Sequence, residues 1–243
     1  MIVLMTDFAE SEYVGVMRGV IYSVSANAQV ADLTHSIPAQ SVRVGAWVLL
    51  NSYKHFPKHS TFVCVVDPGV GTGRDAVIVD TRNYVFVGPD NGLLYPAATE
   101  DGIRGVRRIH IPDTASHTFH GRDVFARVGG LLDAGIKGSI RAEAKSGLDV
   151  PLFFRLEGRE GEVVRIDCFG NIITNIPPLA KQSYALKAGK DKRELGFHRT
   201  YEEGPEDDVF LVVGSYGTLE IAARDSAASE RMKLEVGERI SLE

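Results

Sequence analysis

Apolar positions in the first half of the chain follow two alternating periods. Short continuous runs rich in β-branched residues, at 2–6, 29–34 and 61–66, read as buried strands. Between them lie stripes at helical spacing: Val14, Met17, Ile21 and Val24, then Val42, Ala46, Leu49, Tyr53 and Phe56. Ser11 stands where it can cap the first of these helices. After Arg74, residues 76–80 and 84–87 read as a hairpin around Thr81-Arg82-Asn83. A short helix is expected after the turn cluster Gly88-Pro89-Asp90-Asn91-Gly92, and a strand over 106–111. The loop 112–120 leads into a helix over 122–134 that buries Val124, Val128 and Leu131 or Leu132. Alternating strand and helix predicts an α/β domain with a mainly parallel sheet and helices on both faces.

From 136 to 151 the chain turns polar and small, which puts a boundary there and gives domains 1–150 and 151–243. The second domain shows no helical period. Its strand-like runs fall at 162–166, 171–176, 209–213, 219–223 and 232–236, with a charged stretch over 187–208 expected as a surface excursion. Short strands between turn residues predict a smaller all-β domain, a barrel or a sandwich.

Composition narrows the function classes. Apolar residues at 44% and charged residues at 24% fit a soluble globular chain. A formal charge of −5 argues against nucleic acid or an anionic membrane as a bulk partner. No apolar run is long enough to span a bilayer, and the N-terminus lacks the basic region and cleavage site of a secretory signal. Cys64 and Cys168 stand far apart without a partner motif, so a reducing cytoplasm is expected, and neither a zinc site nor a disulfide framework.

Four stretches carry candidate chemistry. The strand over 61–66 ends on Asp67, breaks at Pro68, passes Gly69, Gly71 and Gly73, and reaches Arg74. A carboxylate at the carboxyl end of a parallel strand lies where open α/β sheets build their sites; a tight loop with a local Asp–Arg pair is the plainer reading. The loop lacks Walker A spacing and runs into a strand, so it is not expected to cradle a polyphosphate. Asp7 closes the first strand in the same way. Thr118-Phe119-His120-Gly121-Arg122-Asp123 places His120 at a loop–helix junction, as a reactive group or as a hydrogen-bonded structural histidine. His117 and His120, without a helical scaffold or a clear carboxylate partner, are a weak metal motif. Asp167 and Asn171 flank a Phe169-Gly170 turn, a pattern that suits an amine and a hydrogen-bonding heterocycle as well as a plain β-turn. Gly214-Ser215-Tyr216-Gly217 is a turn between two strands, structural as easily as functional.

Taken together, Met5-Thr6-Asp7-Phe8, Asp67-Pro68-Gly69-Val70-Gly71 with Arg74, Pro89-Asp90-Asn91-Gly92, Phe119-His120-Gly121-Arg122-Asp123, Asp167 with Phe169-Gly170-Asn171, and Gly214-Ser215-Tyr216-Gly217 occur in one family's order. The chain resembles the S-adenosyl-L-methionine (SAM) hydroxide adenosyltransferases, relatives of fluorinase and chlorinase, over essentially its whole length. The resemblance implies a central sheet of the seven-stranded type followed by a β-barrel. It also implies a homotrimer whose active sites lie between the N-terminal domain of one subunit and the C-terminal domain of the next. The implied reaction is SAM plus water giving adenosine and L-methionine, with SAM as substrate, no cofactor and no metal. The family's catalytic Asp, Arg and His would fall on Asp67, Arg74 and His120, and its ribose-binding Asp on Asp7. Its methionine and adenine contacts would fall around Asp167, Asn171, Ser215, Tyr216 and the Ala227-Ala228 region. Halide users of the family carry Tyr-Pro at Asp67-Pro68 and Tyr-Ser at His120-Gly121, so hydroxide transfer is the better reading here. The alternatives are a non-catalytic SAM or adenosine binder, a halide-using enzyme, and, more remotely, a metal hydrolase using His117 and His120.

Overall fold

In the computed structural model, which describes residues 1–189 and 191–243, the apolar runs of the first half become strands of one sheet. The unit Met1–Leu152 holds β1 (Ile2–Thr6), α1 (Glu12–Val24), β2 (Val30–Thr34), α2 (Val42–Ser52), β3 (Thr61–Val65), β4 (Ala76–Thr81), β5 (Val85–Pro89), α3 (Tyr95–Asp101) and β6 (Ile103–Ile109). A π-helical segment, Gly121–Ala126, then runs directly into α4 (Arg127–Asp133), and β7 (Ala142–Lys145) closes the unit. The seven strands lie in the order β2-β1-β3-β5-β4-β6-β7.

The sheet is mixed. β2, β1, β3 and β5 run parallel, whereas β4, β6 and β7 pair antiparallel. The expectation of a mainly parallel sheet thus describes one side of it. The tight turn from β4 to β5 permits only a hairpin, because a parallel return needs a long crossover. Helices do cover both faces. Ile2 and Leu4 of β1 pack with Met17 and Ile21 of α1 and Val124 and Val128 beyond, whereas Val3 and Met5 pack with Val44, Val48 and Leu49 of α2 and Ala97 and Ala98 of α3. β7 lies in the polar stretch that suggested a boundary. It is an edge strand of half-exposed residues, which carries little apolar pattern.

The unit Phe153–Glu243 holds β8 (Glu160–Ile166), β9 (Ile172–Thr174), β10 (Ser183–Ala188), β11 (Asp191–Gly196), β12 (Val209–Val213), β13 (Leu219–Ala223), α5 (Ala228–Met232) and β14 (Arg239–Leu242). These strands pair antiparallel in the order β11-β10-β14-β8-β9-β13-β12. A bridge between Phe197 and Leu211 links the two ends, so the sheet nearly closes into a barrel. Tyr184, Leu195, Leu211, Ile221 and Ile240 fill its interior.

Three expectations are corrected in this unit. Residues 232–236 are not a strand: α5 ends there, and the last strand is Arg239–Leu242. The unit therefore does contain one short helix. The charged stretch 187–208 is not a simple excursion, because it opens within the β10–β11 hairpin; Lys190 lies outside the described residues. On β10, Tyr184, Leu186 and Ala188 face inward while Ala185 and Lys187 face out, so a one-sided strand hides among charges. Among the described residues no helix is long and apolar enough to cross a membrane.

Candidate functional site

Two cavities gather the candidate residues, one in each unit. In the first unit β1 and β3 are parallel neighbours, with Thr6 opposite Val65. Their carboxyl ends therefore deliver Asp7 and Asp67 to the same edge of the sheet. The loop 67–74 must then meet the loop 112–120. Gly71 makes this possible: its φ is +74°, and a Cβ there would overlap the His117 carbonyl oxygen. On the facing loop, Asp123 Oδ2 accepts the Ser116 N–H at 2.8 Å, tying the segment before His120 to the π-helical turn after it.

These constraints bring Asp67, Arg74 and His120 into one hydrogen-bonded line. Arg74 Nε donates to Asp67 Oδ1 at 3.0 Å, and Nη2 donates both to Asp67 Oδ2 and to His120 Nδ1, the latter at 2.8 Å. The Arg74 and Asp67 side chains are only 9% and 5% exposed, and His120 only 3%, so the line is nearly dry. The guanidinium lies over the Phe125 ring, 5.4 Å from its centroid. Guanidinium has no acceptor, so His120 Nδ1 must be the acceptor and the neutral ring carries its proton on Nε2. Burial and the Arg74 charge both hold the imidazole pKa below its usual 6.5, with Asp67 and Asp123 opposing them.

Asp7, Tyr13, Gln40, Asp67, Phe119 and His120 line a cavity of about 380 Å³. Arg74 is not in the lining and stands behind it, bonded to Asp67 and His120. Asp7 Oδ2 accepts the Gln40 N–H at 2.7 Å. Phe8, Tyr13 and Phe119 meet edge to face, with centroids 5.0–5.9 Å apart, and make an aromatic wall. Tyr13 and Gln40 escaped the sequence reading. Tyr13 is an exposed aromatic off the buried stripe of α1, a weak hint of a binding face; Gln40 carries no sequence signature.

In the second unit Asp167, Phe169, Asn171, Tyr201, Arg224 and Ala227 are among the residues around a cavity of about 840 Å³. Asp167 Oδ1 accepts the Phe169 and Asn171 N–H groups, each at 2.9 Å, and Oδ2 accepts Asn171 Nδ2 at 3.0 Å. Asp167 thus organises its own turn while remaining in the cavity wall. Gly170 has φ +82° and its bare Cα presses on Ala227, where a Cβ would overlap. Tyr201 Oη donates to Glu220 Oε2 at 3.1 Å. Burial, then Glu220, pushes the Tyr201 phenol up to about 12, and burial first of all raises the Glu220 carboxyl, with Asp167 adding to it. Ser215 is exposed and Tyr216 half-buried on the β12–β13 turn, and Ala228 is wholly buried; none of the three lines this cavity. Tyr201 was missed because it sits in the charged stretch, and Glu220 because it alternates within a strand.

His117 is exposed, and among the described residues the acidic or imidazole groups close enough to share a cation are Asp75, Asp90 and Asp149. The Lys145 ammonium already binds all three, at 2.6 Å to Asp75, 3.3 Å to Asp90 and in a short contact to Asp149.

The first unit is thus an α/β sheet with a buried Asp–Arg–His line at its edge, and the second a small barrel with an acid-and-amide cavity. The chain belongs to the SAM hydroxide adenosyltransferase family, whose N-terminal domain matches residues 2–140 and whose C-terminal domain matches residues 161–241. An (R)-S-adenosyl-L-methionine hydrolase of Methanocaldococcus jannaschii is 37% identical, covering 99% of this chain and 95% of that protein. One from Thermus thermophilus is 33% identical, covering 98% and 97%. The crystal structure of an uncharacterized conserved protein from Thermotoga maritima is 32% identical and covers both chains completely, with a TM-score of 0.90. Fluorinases are more distant, at 23% identity.

Proposed function

We propose that this protein hydrolyses SAM, in its (R)-sulfonium form, to adenosine and L-methionine by attack of water at C5′ of the ribose. The observation that carries this reading is the buried Asp67–Arg74–His120 line, whose Asp67 and His120 line the same cavity as the Asp7 carboxylate. Family membership supports the reaction, and the names of the hydrolase relatives support the epimer.

The chemistry follows from the protonation states. Displacement forms a bond from the water oxygen to C5′ and breaks the C5′–S bond. The electron pair goes to sulfur, and the thioether of methionine leaves neutral. Such a leaving group needs neither a general acid nor a metal. What the water needs is orientation and an acceptor for its proton. His120, with Nδ1 occupied by Arg74, can only donate from Nε2, so it holds the water oxygen. Asp67 is the one anion of the line and takes the proton, while Arg74 keeps its carboxylate aimed. A dry pocket favours the step further, because the sulfonium charge is dispersed on the way to the transition state. Asp7, with one oxygen committed to Gln40, retains acceptor capacity for the vicinal ribose hydroxyls.

The first cavity holds little that suits an amino acid, whereas the second offers Asp167 for an ammonium and Asn171 for a heterocycle. As the family resemblance implies, we read the working enzyme as a homotrimer in which the first unit of one subunit and the second unit of the next complete each site, and the difference between the two cavities supports a site that needs both units. Free Cys64 and Cys168 suit a reducing cytoplasm as its place of action.

Incubation of the purified protein with separated (R) and (S) epimers of SAM, followed by chromatography, tests the reading. Equal amounts of adenosine and methionine should appear from the (R) form, before and after treatment with a strong chelator. Binding without product would make the protein a SAM-binding protein. A 5′-halogenated nucleoside formed in the presence of halide would make it a halogenase.

A further inference from the structure

The loop 67–74 leaves the sheet after β3 and re-enters it at β4, and the strand between those two is β5. The turn at the carboxyl end of β5, Pro89-Asp90-Asn91-Gly92, therefore sits between the two roots of the loop that carries Asp67 and Arg74. Consecutive residues of this turn hold both roots. Asn91 Nδ2 donates to the Val66 carbonyl at 2.9 Å, one residue before Asp67. The Asp90 N–H donates to the Asp75 carbonyl at 2.9 Å, one residue after Arg74. The Asn91 amide is itself oriented, since its Oδ1 accepts the Leu93 N–H at 3.2 Å. Asp90 is likewise fixed: its carboxylate is buried, Oδ2 accepts the Asp149 N–H at 3.0 Å, and Lys145 ties it to the Asp75 side chain.

We propose that Asn91 is a positioning residue for the reaction, gripping the loop root at Val66 while Asp90 grips the root at Asp75, so that the Asp67–Arg74–His120 line is held in register. Val66 is wholly buried, so its carbonyl has no water to turn to when the Asn91 donor is lost. Between Asp67 and Arg74 the loop consists of Pro68, three glycines, Val70 and Thr72, and it is tied by the Asp67–Arg74 pair that joins its two ends and by Thr72 Oγ1 donating to the Gly69 carbonyl at 2.7 Å. Both ties lie within the loop, so its placement on the sheet depends also on its roots. Asn91 touches no reacting atom; it acts through the backbone of its neighbour.

This inference rests on the hydrolase reading, and its test separates the two. Asn91→Asp keeps the acceptor for Leu93 but sets an oxygen against the Val66 carbonyl. Thr81→Val serves as the control for lost stability, because Thr81 makes a buried hydrogen bond to Asp101 in the same unit at 2.5 Å, away from the loop. For Asn91→Asp, kcat should fall by on the order of ten- to a hundredfold, the scale of a displaced catalytic group, with KM changed by less than about threefold. Thr81→Val should lower the melting temperature at least as much with kcat per folded molecule unchanged. In a second arm that needs no turnover, the ¹⁵N resonances of His120 should show an unprotonated, hydrogen-bonded Nδ1 in the wild type and lose that signature in Asn91→Asp. An unchanged kcat, or an unchanged His120 signature, would overturn the positioning role. If the wild type releases no adenosine, the hydrolase reading fails and the resonance arm alone decides for or against the grip.

Discussion

His120 shows how one bond decides a role. Its Nδ1 accepts from Arg74 only while the ring is neutral, and burial with the Arg74 charge keeps it neutral at a lower pH than a free imidazole. Turnover should hold through neutral pH and fall only on the acid side, with an inflection in kcat below 6.5. The same shift acts on stability. Between the lowered folded pKa and 6.5 the unfolded chain binds more protons, so stability falls as the pH drops through that window. Rate profiles and urea unfolding across pH measure both, and an inflection at or above 6.5 would contradict the assigned tautomer. Asp67→Ala, Arg74→Ala and His120→Ala should each lower turnover by at least about a hundredfold. Arg74→Ala also leaves a buried carboxylate unpaired, at a cost of about 3–5 kcal/mol, so its rate must be expressed per folded molecule. A variant that keeps wild-type turnover would remove that residue from the mechanism. Residue types at strand ends drew attention to Asp7 and Asp67 in the sequence, and the glycine loop to Arg74, while their roles rested on the family resemblance. That Arg74 reaches His120 was not legible, because the bond joins two loops across 46 positions of the chain.

At the scale of elements, the loops depend on where the chain lacks a side chain. Gly71 and Gly73 stand two apart in the same loop, yet a Cβ on Gly71 would strike the His117 backbone while one on Gly73 meets nothing within 4 Å. Gly71→Ala should therefore separate the Arg74 and His120 loops and cut turnover by on the order of tenfold or more, whereas Gly73→Ala should stay within about twofold of wild type. Equal effects in the two variants would show that the loops need not touch. Buried strands such as β1 and β3 were readable because both faces are apolar. β7 and the β10–β11 hairpin were hidden for the opposite reason: an edge or one-sided strand shows its polar face, and charge masks the alternation. α5 is too short to show a period at all. The π-helical turn after His120 likewise leaves no pattern distinct from that of the α4 helix it joins.

At the scale of the whole molecule, each unit carries a cavity lined by its own residues, and the two differ in chemistry. In the proposed reaction the first handles water and a diol, while the second offers an ammonium acceptor and amide hydrogen bonds. In the proposed trimer, mixing Asp67→Ala with Asp167→Ala protein under subunit exchange should restore part of the activity, since some interfaces then combine two intact halves. No recovery, with exchange proven and both parents inactive, would reject the shared site. In the proposed reaction, water held by His120 and deprotonated by Asp67 attacks C5′ of SAM. Turnover of (R)-SAM in ¹⁸O-labelled water, with mass spectrometry of both products, tests it most directly. One ¹⁸O should appear in the 5′-hydroxyl of adenosine and none in methionine. Unlabelled adenosine, label in methionine, or no adenosine at all would contradict it.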